Sequence, residues 1–457
     1  MQNRKTFVLF ATAILFAFLA GLFLNFQILE NEITRDIVRN ASKIIGLEFE
    51  DSEIDSMLQD LNRMAKTYEL MRNDTIGNEV APALIFNPLP RGFEFEKTQR
   101  PISFEDVGIV ELPENREDLA FYSIGELAEL IRNQKITSVE LTQFFLDRLK
   151  KHDPDLHCVI TLTEDLAMEQ ARRADKEISE GKYRGMLHGI PYGAKDLFAK
   201  KGYKTTWGAM PYKNQIIEED ATVIRKLEEA GAVLVAKLSL GALAWGDVWY
   251  GEKTRNPWDT SRGSSGSSAG SASAVSAGLV PFALGTETLG SIVSPSTVCG
   301  TTGLRPTFGR VSRHGAMALS WSMDKVGPIC RSAEDCAIVF DVIRGSDGKD
   351  QSVVDAPFNY RTKFNTKKLK IGYLKNAFEG KYGFKENDSL ALKKLTESGH
   401  ELIPIELPET PRLTFILQAE AAAAFDLLTR SGQDDLMVRQ IKNAWPNVFR
   451  AARFMPA

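Results

Sequence analysis

The chain has 457 residues, 43% hydrophobic and 25% charged, with a formal net charge of −4. That is the balance of an ordinary globular protein with material for one large domain or two medium ones. Acids and bases are interleaved, which argues against a nucleic-acid partner and against an electrostatic membrane patch, and leaves a small molecule as the expected partner.

The N-terminus departs from this balance. After Arg4 and Lys5, residues Phe7 to Leu24 form an uncharged apolar run of 18 residues. The run is long for a signal-peptide core, no A-x-A cleavage site follows, and no lipobox cysteine is present. Residues 1–29 are therefore predicted to be an uncleaved membrane anchor, with the rest exported to the periplasm or another extracytoplasmic space. Residues 30–117 read as an accessory stalk: a helix around Glu53 to Arg72, then the Pro-punctuated passage APALIFNPLPRGFEFEKTQRPISF.

Residues 118–457 carry a different pattern. Capping boxes at Ser123 with Glu126 and at Thr137 with Glu140 open two amphipathic helices, and a third is expected over Glu164 to Glu180. HGIPYGAKDLF reads as a strand and turn, DATVIRKLEEAG as a helix stopped by Gly231, and AVLVAKLS as a buried strand. The run Arg262 to Gly278, RGSSGSSAGSASAVSAG, holds seven serines. Its composition is that of a flexible linker, yet the apolar LVPFALGTETLGS follows at once and carries the serines into a core. Further on, KLKIGYL, a helix near Asp388 to Glu397, and HELIPIEL form a strand, helix, strand unit. The class is α/β, a single large mixed sheet flanked by helices on both faces, without internal repeats.

Cys158, Cys299, Cys330 and Cys336 lack C-x-x-C spacing and sit in apolar segments, so they read as small core residues, with a disulfide left open for an exported chain. The five histidines show no metal-binding pattern. No metal and no organic cofactor is expected.

Serine hydrolase chemistry has three possible seats. Gly266, Ser268 and Gly270 satisfy G-x-S-x-G, but a nucleophile elbow needs a strand immediately before it, and EKTRNPWDTSRGS is a polar loop containing Pro257. Ser322 and Lys325 satisfy S-x-x-K without the S-D-N and K-T-G elements that accompany it in penicillin-recognising enzymes. The third uses the whole block. GIPYGAKDLF, followed by GSSGSSAGSASAVSAGLVPFALGTETLGSIVSPSTVCGTTGLRPTFGRVS, resembles the amidase signature family of serine amidohydrolases in a collinear array from about Phe121 to beyond Gly327.

The resemblance implies the amidase signature fold and a Ser, Ser, Lys triad. The family lysine of G-I-P-x-x-x-K-D matches Lys195, the bridging serine of G-G-S-S-G-G matches Ser267, and the nucleophile of G-T-D-x-G-G-S-I matches Ser291. In the family the bridging serine follows a cis peptide bond. Backbone N–H groups of Thr288, Leu289, Gly290 and Ser291 would form the oxyanion hole, while Asp196, Ser268 and Glu287 would support the site, Asp196 by orienting the Ser/Gly loop. The chemistry is consistent on its own terms: a serine hydroxyl needs a base to take its proton, and a lysine serves only when its surroundings keep it neutral.

Three departures bear on substrate. Leu289 stands where the family commonly has a small residue, Val293 replaces the arginine of G-G-S-I-R and removes a partner for a substrate carboxylate, and Glu287 replaces an aspartate. The chain also stops, in NAWPNVFRAARFMPA, before the point where family members usually end, and is expected to be truncated there. The implied activity is hydrolysis of a small amide through an acyl-enzyme on Ser291, with a homo-oligomer possible. The alternatives are the glutaminase-type subunit of a tRNA-dependent amidotransferase and an inactive anchored relative.

Overall fold

A computed structural model describes residues 32–73 and 76–455. The anchor expected over residues 7–24 lies outside the described residues. Among those that are described, no helix is long and apolar enough to cross a membrane.

Two compact units separate between Gly77 and Asn78. The smaller holds α1 (Arg35–Ile45) and α2 (Asp51–Met71). Thr34 caps α1, and Gly46 ends it at φ +70°, a left-handed conformation that glycine adopts without a side-chain penalty. The stalk stretch after Asn78 belongs to the larger unit, because its polar atoms find their partners there: Gln99 Nε2 donates to the Phe358 carbonyl at 2.9 Å and Asn78 Nδ2 to that of Ala424 at 2.8 Å.

The larger unit opens with α3 (Ile124–Arg132) and α4 (Ser138–Leu156), both started by reciprocal capping boxes at the expected residues. Then come β1 (Val159–Leu162), α5 (Glu164–Ser179), β2 (Pro191–Lys195), α6 (Thr222–Glu229) and β3 (Val233–Leu238). A small hairpin of β4 (Arg255–Asn256) and β5 (Asp259–Gly263) leads into α7 (Ala269–Ser276), β6 (Phe282–Glu287), α8 (Val293–Cys299), β7 (Thr302–Gly303), β8 (Lys325–Cys330) and α9 (Ala333–Ile343).

Six strands form one mixed sheet in the order β1, β3, β2, β6, β8, β7. The three central strands run parallel, β3 to β2 to β6, and the flanking pairs are antiparallel. Every residue of β2 and β3 is buried, as expected for strands covered on both faces. Tyr192 and Phe282, opposite each other in the register, stack with centroids 5.2 Å apart. The serine-rich run forms α7, and α7 is not a linker: its residues from Ala269 to Val275 are buried, with small side chains that let it lie close to the sheet. Cys158, Cys299, Cys330 and Cys336 are all free and buried, and Cys158 and Cys299 sit in the main apolar cluster.

The strand, helix, strand unit forms at β9 (Lys370–Leu374), α10 (Lys375–Glu379), α11 (Lys385–Glu397) and β10 (Glu401–Ile405). Its two strands pair only with each other, in parallel, and stand apart from the main sheet. Alternation along β9 and β10 leaves them half-exposed, unlike β2 and β3. The chain closes with α12 (Thr414–Ala424), α13 (Asp426–Arg430) and α14 (Trp445–Ala452), whose Trp445 and Phe449 stack beside Phe425.

Candidate active site

The site lies at the C-terminal ends of β2 and β6, neighbours in the sheet. β2 ends on Lys195 and β6 on Glu287, so both residues are delivered to one edge by paired strands. Between them, before α7, the peptide bond from Gly266 to Ser267 is cis. Gly266 has no room for a side chain: a Cβ there would sit 1.9 Å from the Gly246 carbonyl oxygen.

Lys195 is fully buried and meets the serine loop directly. Its Nζ is 2.8 Å from Ser267 Oγ, 3.1 Å from Ser268 Oγ and 2.9 Å from Thr286 Oγ1. Ser268 Oγ donates to the Thr286 carbonyl at 3.1 Å and accepts from the Thr286 N–H at 3.2 Å, so it can only accept from Lys195. A neutral amine has two hydrogens and one lone pair. It can donate to Ser268 and Thr286 and still accept from the Ser267 hydroxyl. Burial supplies the neutrality: it pulls the Lys195 pKa down to about 7, with the negative charges of Asp324 and Glu287 opposing the shift.

The turn after β6 lies alongside. The Ser268 N–H donates to the Ser291 carbonyl at 3.1 Å, tying the two loops together. Ser291 Oγ makes no hydrogen bond with any described residue, and the link from Ser267 to Ser291 is not closed by one. Ser291 instead lines an open cleft of about 370 Å³, within the size range of small-ligand sites. Catalytic hydrogen bonds commonly tighten only once substrate is bound.

Glu287 holds the turn from behind. Its Oε2 accepts from the N–H groups of Ile292 at 2.9 Å and Val293 at 3.0 Å, and Arg305 pairs with Oε1 at 3.2 Å. Burial raises this carboxyl, but the N–H groups of Val293, Ile292 and Gly290, together with Arg305, outweigh it and leave the pKa lowered. Gly290 thus turns its N–H toward Glu287. The N–H groups of Thr288, Leu289 and Ser291 have no hydrogen-bond partner among the described residues, and it is these three that are free to face a developing oxyanion.

Asp196 does not orient the Ser/Gly loop as its position suggested. One oxygen accepts from the Thr206 N–H at 2.8 Å and hydroxyl at 2.6 Å, and the other lies 2.7 Å from Lys237 Nζ, with both charged side chains fully buried. Lys237 aims its hydrogens at the Lys204 carbonyl and Thr205 Oγ1 as well, so the contact with Asp196 is an ion pair by proximity. Asp196 therefore anchors the turn at Thr206. Asp196→Asn should destabilise the protein by about 3–5 kcal/mol, because it strands a buried ammonium without its counter-ion. A urea midpoint equal to wild type would show that Lys237 does not depend on it.

The two rival serines are occupied elsewhere. Ser268 is fully buried in the network just described, and Ser322 Oγ donates to Glu420 at 3.0 Å, not to Lys325. Three further residues belong to the site although the motifs of the Ser, Ser, Lys resemblance give them no role. Thr286 touches Lys195, Asp324 accepts from the Thr288 hydroxyl at 2.5 Å, and Lys325 donates to the Thr288 carbonyl at 3.1 Å. The S-x-x-K pattern does mark the right neighbourhood, for a different reason. Among the described residues no cluster of three or more metal-ligating side chains occurs.

Residues 140–453 match the family model described as Amidase. A glutamyl-tRNA(Gln) amidotransferase subunit of Coxiella burnetii is 41% identical over 296 residues, 63% of this chain and 61% of that protein. The chain thus spans less than two thirds of that relative. Among solved structures, the peptide amidase of Stenotrophomonas maltophilia superposes with a TM-score of 0.66 at 29% identity, covering 74% of this chain and 76% of that one. The corresponding glutamyl-tRNA(Gln) amidotransferase subunit of Thermotoga maritima does so with a TM-score of 0.59 at 30% identity, covering 72% and 70%.

Proposed function

We propose that this chain, which belongs to the Amidase family, hydrolyses the C–N bond of an uncharged carboxamide through an acyl-enzyme on Ser291. The carrying observation is the buried Lys195 amine, 2.8 Å from Ser267 Oγ and with its donors already committed to Ser268 and Thr286. Ser267 passes the Ser291 proton to Lys195 as Oγ of Ser291 attacks the carbonyl carbon. The N–H groups of Thr288, Leu289 and Ser291 receive the charge that develops on the carbonyl oxygen. Lys195 returns the proton through Ser267 to the leaving nitrogen, the C–N bond breaks, and water then enters by the same relay to release the acid.

The cleft walls support this substrate class. Their lining mixes apolar and aromatic side chains, among them Trp245, Leu289 and Trp445, with the neutral polar Ser294, Gln418 and Asn443, and no ionisable side chain lines the cleft among the described residues. Arg439 stacks on Trp245 but lines a separate crevice. The names of the amidotransferase relatives favour a second reading, glutamine hydrolysis. Glutamine, however, carries an ammonium and a carboxylate, and charges brought into a site without partners are costly. Val293, half-exposed beside the turn, offers neither. We also propose that residues 7–24 hold the protein at a membrane; their support is the uncharged apolar run after Arg4 and Lys5.

The test is ammonia release from neutral aryl and alkyl carboxamides beside glutamine, with adduct mapping by a fluorophosphonate. Neutral amides should exceed glutamine in kcat/KM by about a hundredfold, the order of one unpaired charge. A preference for glutamine would refute the substrate class, and an adduct at Ser268 or Ser322 would refute the nucleophile.

A further inference from the structure

We propose that Lys325 and Asp324 clamp Thr288 from behind the oxyanion turn, and that this clamp aims the Leu289 N–H at the reacting carbonyl oxygen. The proposal rests on the reading of Ser291 as nucleophile, and neither residue touches the cleft itself.

The argument starts from the planarity of the peptide unit joining Thr288 to Leu289. In a trans peptide the carbonyl and the N–H point in opposite directions, so whatever fixes one fixes the other. The Thr288 carbonyl is fixed: Lys325 Nζ donates to it at 3.1 Å and is itself held by the Met323 carbonyl. Lys325 sits on the first residue of β8, which pairs with Glu287 at the end of β6, so the sheet delivers the ammonium to this spot. Thr288 borders two cavities. Lys325 and Asp324 line one, together with Arg313 and Trp321, whereas Leu289 and Ser291 line the cleft. A carbonyl drawn toward Lys325 points away from the cleft, and the Leu289 N–H, which has no partner among the described residues, is turned into it.

The side chain of Thr288 is fixed as well. Its hydroxyl donates to Asp324 Oδ1 at 2.5 Å, while Oδ2 of the same carboxyl accepts from the N–H groups of Leu319 at 2.8 Å and Ser320 at 2.9 Å. Asp324 is thereby held rigidly and removes the remaining freedom of Thr288 to rotate. The turn needs such a clamp because Gly290, at φ +87°, gives it little stiffness of its own. The ammonium has a second effect. A cation hydrogen-bonded to a carbonyl polarises the peptide and makes its N–H a stronger donor.

Lys325 and Asp324 are thus positioning residues. The test measures the kinetics of fluorophosphonate labelling in wild type, Lys325→Met and Lys325→Arg, because the phosphoryl oxygen needs the same donors as an amide oxyanion. Lys325→Met should lower kinact by about 10- to 100-fold, the range for a weakened or lost oxyanion donor. The inhibitor KI should change little, the thermal midpoint should stay near wild type, and Lys325→Arg should recover most of the rate. A merely structural defect would lower the labelled fraction and the midpoint instead. Thr288→Val carries the same test from the Asp324 side and leaves the lysine in place. Wild-type kinact in both Lys325→Met and Thr288→Val, or a loss confined to KI, overturns the clamp alone. Failure of wild type to label at Ser291 overturns the nucleophile, and the clamp with it.

Discussion

Ser291→Ala is expected to remove amide turnover almost entirely, by roughly 10⁴- to 10⁶-fold in kcat, with no loss of fold. The two halves of this expectation have separate physical grounds. On the proposed mechanism turnover is lost because the attacking oxygen is the only atom deleted, and a water in its place would not be held in position for attack. The fold survives because Ser291 Oγ bonds to no described residue. What Ser291 contributes to the structure is its carbonyl, which accepts from the Ser268 N–H at 3.1 Å and is unchanged in alanine. Thermal unfolding of the variant should overlay wild type, and substitutions of this kind ordinarily stay within about 0.5 kcal/mol. Fluorophosphonate labelling should vanish in the same sample. Retained turnover would refute the mechanism, and loss of activity together with unfolding would show that the hydroxyl has a packing role the geometry does not reveal.

Those features that are legible in the sequence are the local ones. The capping boxes at Ser123 and Thr137 join residues three apart, and both form as read. The strands at Pro191–Lys195 and Val233–Leu238 announce themselves by short apolar runs, and the helix between them ends just before Gly231, as its sequence suggests. Lys195, Ser267 and Ser291 stand out only because long motifs resemble a family; no spacing rule would join residues 72 and 96 positions apart. The roles proposed for them draw on that resemblance and on the contacts of Lys195 together.

Contacts made by the turns are not legible in this way. Asp196 follows Lys195 in sequence, but successive side chains of an extended chain point to opposite faces, and its carboxyl lies beside Lys237 instead. Lys325 reaches Thr288 only because β8 runs antiparallel to β6, a pairing that nothing in the sequence of either strand states. The half-exposed β9 and β10 pair with each other rather than with the main sheet for a similar reason. Strand propensity specifies a strand and not its neighbours.

Lys195→Ala is the second large expectation, and its pH dependence is more telling than its magnitude. In the proposed mechanism Lys195 is the base, and a lysine can be one only when neutral. With burial bringing its pKa to about 7, the wild-type kcat/KM should be flat above that pH and fall about tenfold per unit below it, as one proton blocks the lone pair facing Ser267. The sign is fixed by the type of group: a lysine lowered by desolvation loses its charge as pH rises, so the active form lies on the alkaline side. Replacement by alanine should cost about 10²- to 10⁴-fold at pH 8 and remove the acid limb over this range, since the group that titrates is gone. The residual rate would then come from the oxyanion donors and bound water. Titration of the rate between pH 5 and 9 in both proteins separates the possibilities. An acid limb that survives unchanged in Lys195→Ala would mean that another group carries the proton, and the buried carboxyl of Asp324, raised by desolvation, would be the next residue to replace.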